Sequence, residues 1–298
     1  MSAPLLFDLA DHDVLAECVA AALGAETGRI EQRRFPDGES YVRILTPVAG
    51  RAVMLLAGLD RPDEKFLPLI FAAATARDLG AARVGLIAPY LPYMRQDKRF
   101  HEGEGVTSAY FARALSAAVD WLVTVDPHLH RRKSLAEIYS IPTAVVHAAP
   151  LLAAWIAGAV ERPLLVGPDA ESSQWVQAVA TDAGAPSVVL EKVRRGDRDV
   201  DVSVPEVERW RDHTPVLVDD IVSTGRTLIE TIGHLERTGL RPPVCVAVHG
   251  VFAGDAYDAL KAAGAGRIVT TNTIRHESNA IDVASLLAEG VKAVAGGA

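Results

Sequence analysis

The chain has 298 residues, which at roughly 150 residues per domain suggests about two domains of ordinary size. Apolar residues make up 49% and charged residues 23%, a composition that supplies a large core and argues against wholesale disorder. A net charge of −8 argues against non-specific binding to nucleic acid or a membrane surface, and leaves room for an anionic small molecule held by local cations.

The two cysteines, Cys18 and Cys245, lie in apolar contexts and are expected to be buried, reduced thiols; a disulfide framework or cysteine-based zinc site is excluded. The first thirteen residues contain three Asp and no Lys or Arg, so they lack the basic region of a secretory signal. Residues 141–160 carry no formal charge over twenty positions, long enough to cross a bilayer. Pro142, His147, Pro150 and the preponderance of Ala point instead to a short strand, a turn and a buried helix. The expectation is a soluble cytoplasmic protein without a membrane or nucleic-acid partner.

In chain order, strands are expected at residues 52–57, 83–88, 121–125, 143–147, 164–166, 187–191, 216–218, 244–248 and 268–271. Continuous apolar runs of this length fit strands covered on both faces. Helical periods fall at 64–80, 108–118, 171–184, 227–239 and 255–264, four of them ending in Gly (Gly80, Gly184, Gly239, Gly264), the residue suited to a left-handed C-terminal cap. Repeated strand–helix–strand units imply an α/β fold with parallel sheets and right-handed crossovers. The 142–150 region is the expected boundary, dividing the chain into residues 1–145 and 146–298, and ligand-binding residues are sought beyond the carboxyl ends of strands.

The most informative segment is the apolar strand 216–218 followed by Asp219, Asp220, Ile221, Val222, Ser223, Thr224, Gly225, Arg226 and Thr227, where a helix opens. Residues 223–227 offer backbone N–H groups, hydroxyls and the positive end of a helix, the parts of an anion cradle. Adjacent carboxylates repel phosphate but accept from a sugar diol or hold a metal. A pocket taking phosphate at one end and a diol beside it describes a ribose 5-phosphate. This string resembles the phosphoribosyl-diphosphate (PRPP) motif of the phosphoribosyltransferase fold, with Ser223 and Arg226 where many relatives have Asp and Gly.

The first half adds Arg34-Phe35-Pro36-Asp37-Gly38-Glu39, a turn; Arg95-Gln96-Asp97-Lys98-Arg99, a cationic strand exit; and Asp126-Pro127-His128, which ends another strand. Forked hydrogen bonds from Arg95, Gln96 and Arg99 suit a triphosphate. His128-x-His130 by itself also admits a metallohydrolase reading, which leaves residues 219–227 without a role. Together with the 219–227 loop, these motifs resemble the ribose-phosphate diphosphokinases (PRPP synthetases) in order and approximate spacing along essentially the whole chain. The 95–104 run is closer to the archaeal type.

The resemblance implies two tandem phosphoribosyltransferase-type domains and Mg²⁺-dependent transfer of the β,γ-diphosphoryl group of ATP to the C1 hydroxyl of ribose 5-phosphate. It implies ATP contacts from Arg95, Gln96 and Arg99, with Phe35, Asp37 and Glu39 supplied by a neighbouring subunit of a homo-oligomer. Ribose 5-phosphate falls to Asp219, Asp220, Ser223, Thr224, Gly225, Arg226 and Thr227. Lys192 and Arg194, two cations at alternate positions of an extended segment, form the catalytic clamp, with His128 as a further catalytic residue. His128 and Asp169 hold the metal. The family's paired glycines after Pro168-Asp169 are absent here, where Ala170-Glu171-Ser172 stands. That departure keeps two alternatives open: a non-catalytic regulatory homologue and a diphosphokinase for another sugar phosphate.

Overall fold

The computed structural model describes residues 3–9, 12–129, 131–167, 173–195, 199–203 and 207–295. The chain forms two compact units. The first begins with β1 (Leu5–Asp8), α1 (Asp13–Leu23), β2 (Glu26–Thr27), β3 (Ile30–Arg34), β4 (Ser40–Ile44) and β5 (Ala52–Leu56). It continues through α2 (Pro62–Asp78), β6 (Arg83–Ile87), α3 (Thr107–Ala118), β7 (Trp121–Val125) and β8 (Thr143–Val146). The second comprises α4 (Ala149–Ala159), β9 (Pro163–Gly167), α5 (Ser173–Ala183), β10 (Ser187–Val189), β11 (Glu191–Arg195) and β12 (Asp199–Ser203). After these come β13 (Thr214–Val222), α6 (Arg226–Arg237), β14 (Val244–Gly250), α7 (Ala256–Ala262), β15 (Arg267–Thr271) and β16 (Asn279–Ile281). The last helix, α8 (Ala284–Ala295), returns to the first unit.

Both units carry a six-stranded parallel sheet, ordered β2-β1-β5-β6-β7-β8 in the first and β10-β9-β13-β14-β15-β16 in the second. Counted among sheet strands alone, the order is the same in each: second, first, third, fourth, fifth, sixth. Each unit also inserts an antiparallel hairpin between its second and third sheet strands, β3–β4 in one and β11–β12 in the other. The two halves therefore repeat one topology, and the segments read as the ATP-side turn and the catalytic clamp are equivalent insertions.

The core of the first unit packs Leu5, Phe7, Leu55, Leu86 and Leu122 of the sheet against Leu69, Ala72 and Ala76 of α2 and Phe111 and Leu115 of α3. In the second, Leu164, Val166, Leu217 and Cys245 meet Leu228, Ile232 and Leu235 of α6. Helix α8 lies against β7, β8 and α1. The approach is close at Gly290, where a Cβ would sit 2.7 Å from Val123 and 2.9 Å from Val146.

The expected strands and helices are present, and Gly80, Gly184, Gly239 and Gly264 all take positive φ after their helices. Residues 141–160 form β8 and α4, and among the described residues no helix is long and apolar enough to cross a membrane. Several expectations change. The units divide at His147 and Ala148, but Thr273–Arg275 and Val283–Ala298 belong to the first unit rather than the second. Cys18 is exposed, because α1 buries Leu15, Ala16, Val19 and Ala20 and turns position 18 outward. Cys245 is buried, its thiol pushed up to about 12 by burial and by the charge of Asp219, which leaves it protonated and inert. The expected strand 216–218 is nine residues long and runs through both aspartates, because β14 pairs with it out to Asp219–Ala247 and Val222–Gly250.

Candidate active site

In the first unit, the β6 and β7 exits are neighbours. Ala88 N–H donates to the Val123 carbonyl (2.9 Å) and Val125 N–H to the Pro89 carbonyl (3.2 Å). The loop after β6 is rooted by Leu91 and Met94, each 2% exposed, and turns at Tyr93, whose φ is +63°. That turn brings Arg95 and Gln96 out to solvent. Gln96 is held at both its backbone and its amide: Ser108 Oγ donates to its carbonyl (3.0 Å) and Thr107 Oγ1 to its Oε1 (2.6 Å). With Oε1 accepting, the amide NH₂ is the end of the side chain that can donate to a phosphate.

The β7 exit brings His128 to the same edge. Arg131 reaches back to the Asp97 carboxylate (3.1 Å) and Arg132 to the Asp97 carbonyl (3.3 Å), joining the two exits into one cationic rim. Asp126, expected near His128, accepts from His147 Nδ1 at 2.7 Å. His147, at the end of β8, carried no motif. Arg99 donates to the Glu104 carbonyl (2.9 Å), so its guanidinium also shapes its own loop.

The β3–β4 hairpin displays Phe35, Asp37 and Glu39 at its tip, all exposed. Asp37 Oδ1 accepts from Glu39 N–H (3.1 Å), and Phe35 N–H donates to the Glu39 carbonyl (2.8 Å). The Arg33 guanidinium lies over both Phe35 and Tyr41, 4.6 and 4.2 Å from the ring centroids, fixing the Phe35 ring from below. Arg34 ties the hairpin to α2 through the Glu64 carbonyl (3.1 Å). The tip presents a 38% exposed aromatic face and two carboxylates to solvent.

In the second unit, Asp219 and Asp220 lie in the last four residues of β13, which ends at Val222, and Ser223–Gly225 lead into α6. Asp219 is largely shielded. Burial first, and the neighbouring Asp220 charge second, push its carboxyl up to about 7, although its Oδ1 accepts the Asp220 N–H at 2.9 Å. Two adjacent carboxylates under this strain call for hydroxyl donors or a cation, and their hard oxygens fit Mg²⁺.

Gly225 caps α6 at φ +68°, and a Cβ there would press on Leu260 at 3.3 Å. The first turn of α6 has no acidic residue, and Ser223, Thr224, Arg226 and Thr227 all reach the surface at least in part. The equivalent helix of the first unit, α2, opens with Pro62, Asp63 and Glu64. Pro62 lacks an N–H and the two carboxylates oppose an anion. Of the two equivalent strand-to-helix turns, the second unit's has the helix start whose charge and N–H groups suit an anion.

In β11, Lys192 pairs with Val202 and Arg194 with Val200, two positions apart in one strand of the hairpin. Asp169 and His130 lie outside the described residues. Among those described, no group of three His, Cys, Asp or Glu side chains gathers to hold a metal. Of the assigned ligands, the carboxylate of Asp169 suits Mg²⁺ by type, whereas the imidazole of His128 suits softer cations better.

Residues 5–118 match the family model described as the N-terminal domain of ribose phosphate pyrophosphokinase, and residues 134–285 match the phosphoribosyl transferase domain. The chain belongs to the ribose-phosphate pyrophosphokinase family. The ribose-phosphate pyrophosphokinase of Methanobrevibacter smithii is 30% identical over 286 residues, covering 92% of this chain and 95% of that one. That of Methanosarcina mazei is 34% identical over 279 residues, covering 93% and 92%. Among solved structures, the phosphoribosylpyrophosphate synthetase of Mycobacterium smegmatis matches over the whole of both chains with a TM-score of 0.83 at 26% identity. The pyrophosphokinase family thus accounts for both units and for the two domain types they contain.

Proposed function

We infer that the chain is a ribose-phosphate diphosphokinase, making PRPP and AMP from ATP and ribose 5-phosphate. The observation that carries the residue assignment is the β13-to-α6 segment. There a half-buried carboxylate pair stands beside a helix start free of acidic residues, in a chain matched to this family along nearly its full length.

The 5-phosphate lies on the 223–227 loop, bound by backbone N–H groups and by the hydroxyls of Ser223, Thr224 and Thr227, with Gly225 permitting the turn and Arg226 adding positive charge. Asp219 and Asp220 accept from the 2- and 3-hydroxyls. Arg95, Gln96 and Arg99 bind the triphosphate of ATP. Phe35, Asp37 and Glu39 engage the adenine end of ATP bound to a neighbouring subunit, for which the exposed and braced Phe35 ring is suited; the working protein is then a homo-oligomer. The anomeric oxygen attacks the β-phosphorus in line, the bond from that phosphorus to the α,β-bridging oxygen breaks, AMP leaves with the bridging oxygen, and the hydroxyl proton is released. Positioning and charge neutralisation do most of the work. Lys192 and Arg194 take up charge on the transferring group, and His128 donates to a phosphate oxygen. Asp169 and His128 would hold Mg²⁺, which when bound neutralises the triphosphate. We place the reaction in the cytoplasm.

The test is incubation of the protein with ATP, Mg²⁺ and ribose 5-phosphate, following AMP and PRPP. Equimolar AMP and PRPP are expected. Absence of AMP would favour the regulatory homologue, and AMP formed only with a different sugar phosphate would favour the variant kinase.

A further inference from the structure

The loop that follows β14 is tied to the phosphate loop from behind. Phe252 N–H donates to the Val222 carbonyl and Ala253 N–H to the Ser223 carbonyl, each at 3.0 Å. In a trans peptide the carbonyl and the next residue's N–H point in opposite directions. Fixing the Val222 and Ser223 carbonyls therefore aims the N–H groups of Ser223 and Thr224 away from this loop, as phosphate donors must be aimed.

Phe252 holds that position at a cost. Its φ is +42°, a left-handed conformation that side-chain-bearing residues rarely adopt because Cβ crowds the following carbonyl oxygen. The ring is locked by its surroundings. It lies over Gly250, where a Cβ would meet it at 2.6 Å, and packs against His276 (centroids 4.6 Å) and Tyr257 of α7 (5.1 Å), which also touch each other at 4.5 Å. His276 is itself oriented. Its Nδ1 accepts the Ser278 N–H (3.2 Å) and lies 2.9 Å from Ser278 Oγ. Ser278 Oγ is 2.8 Å from Thr270 Oγ1, which accepts from the Asn279 amide (2.9 Å). Read from Asn279, each hydroxyl accepts from one neighbour and donates to the next, ending on a neutral imidazole. Burial lowers the His276 pKa, in keeping with that neutral ring.

We propose that Phe252, clamped between His276 and Tyr257, is a positioning residue that sets affinity for the sugar phosphate by holding the backbone of the phosphate loop. The proposal rests on the reading of residues 223–227 as the phosphate cradle. Its test is steady-state kinetics with each substrate varied in turn. Phe252→Leu should raise KM for ribose 5-phosphate about tenfold, the scale of a modest misplacement of binding groups, with kcat and KM for ATP within about twofold of wild type. Phe252→Tyr should restore the wild-type value. Phe252→Gly, which relieves the strained φ but removes the ring, should still raise it.

Thr227→Val, a change in the cradle itself, separates the two readings. If Thr227→Val raises KM for ribose 5-phosphate and the Phe252 variants do not, the brace is wrong and the cradle stands. If neither does, both fall. Equal changes in both KM values, or a loss of thermal stability with unchanged KM, would also overturn the proposal.

Discussion

Replacing Asp220 with Asn should make the protein more stable at alkaline pH and worse at its reaction. The Asp219 carboxyl is held near 7, against about 3.8 for the free group, by burial and then by the Asp220 charge. Native Asp219 thus keeps a proton, between pH about 4 and about 7, that the unfolded chain has released. Its contribution favours the fold most below pH 4, declines as pH rises towards 7, and is fully unfavourable above that. Removing the neighbouring charge should recover a fraction of this penalty. Removing one like charge beside a half-buried carboxylate is worth on the order of 1 kcal/mol, equivalent to a few degrees in Tm. The assay is thermal unfolding of both proteins at pH 5 and pH 8 without Mg²⁺ or substrate. The gain should appear at pH 8 and largely vanish at pH 5, while PRPP formation falls because a charged diol acceptor with two oxygens becomes a neutral amide with one. A variant less stable at pH 8, or equally stabilised at both pH values, would refute the argument that Asp219 and Asp220 are strained for a ligand's sake.

Lys192→Ala should lower kcat by about 10³–10⁵, the scale of losing an arginine finger, with little change in either KM; full activity would remove the clamp assignment. Gly225→Ala places a Cβ on a φ of +68° and 3.3 Å from Leu260, which should cost about 1–2 kcal/mol in denaturant unfolding and raise KM for ribose 5-phosphate. Thr107→Val removes the hydroxyl that orients the Gln96 amide; KM for ATP should rise several-fold, on the scale of one lost hydrogen bond of about 1 kcal/mol, with KM for ribose 5-phosphate unchanged.

The parts of this molecule that local sequence reveals are the ones a short window specifies. Apolar runs flanked by turn residues define the parallel strands, and the carboxylate pair followed by Ser, Thr and Gly marks a strand-to-helix turn. What stayed hidden depends on distant partners. Helix α8 ends the chain yet packs on the first unit through Gly290, Val123 and Val146, a fit no local pattern encodes. The β3–β4 hairpin reads as a bare turn because Gln32 and Arg34 stand where the alternation begun at Ile30 calls for apolar residues, and its order comes from pairing and from Arg33 between two rings. Strand β13 runs past the point where charge suggests it should stop, because β14 supplies hydrogen bonds beyond Asp219. His147 beside Asp126, and Phe252 beside His276, are 21 and 24 positions apart, meeting only through the sheet.

Transfer at the β-phosphorus can be read directly by placing ¹⁸O in the α,β-bridging position of ATP and running the reaction with ribose 5-phosphate and Mg²⁺. Mass spectrometry should find the label in AMP and none in PRPP. Formation of ADP in place of AMP, or ¹⁸O in the diphosphate of PRPP, would contradict the account.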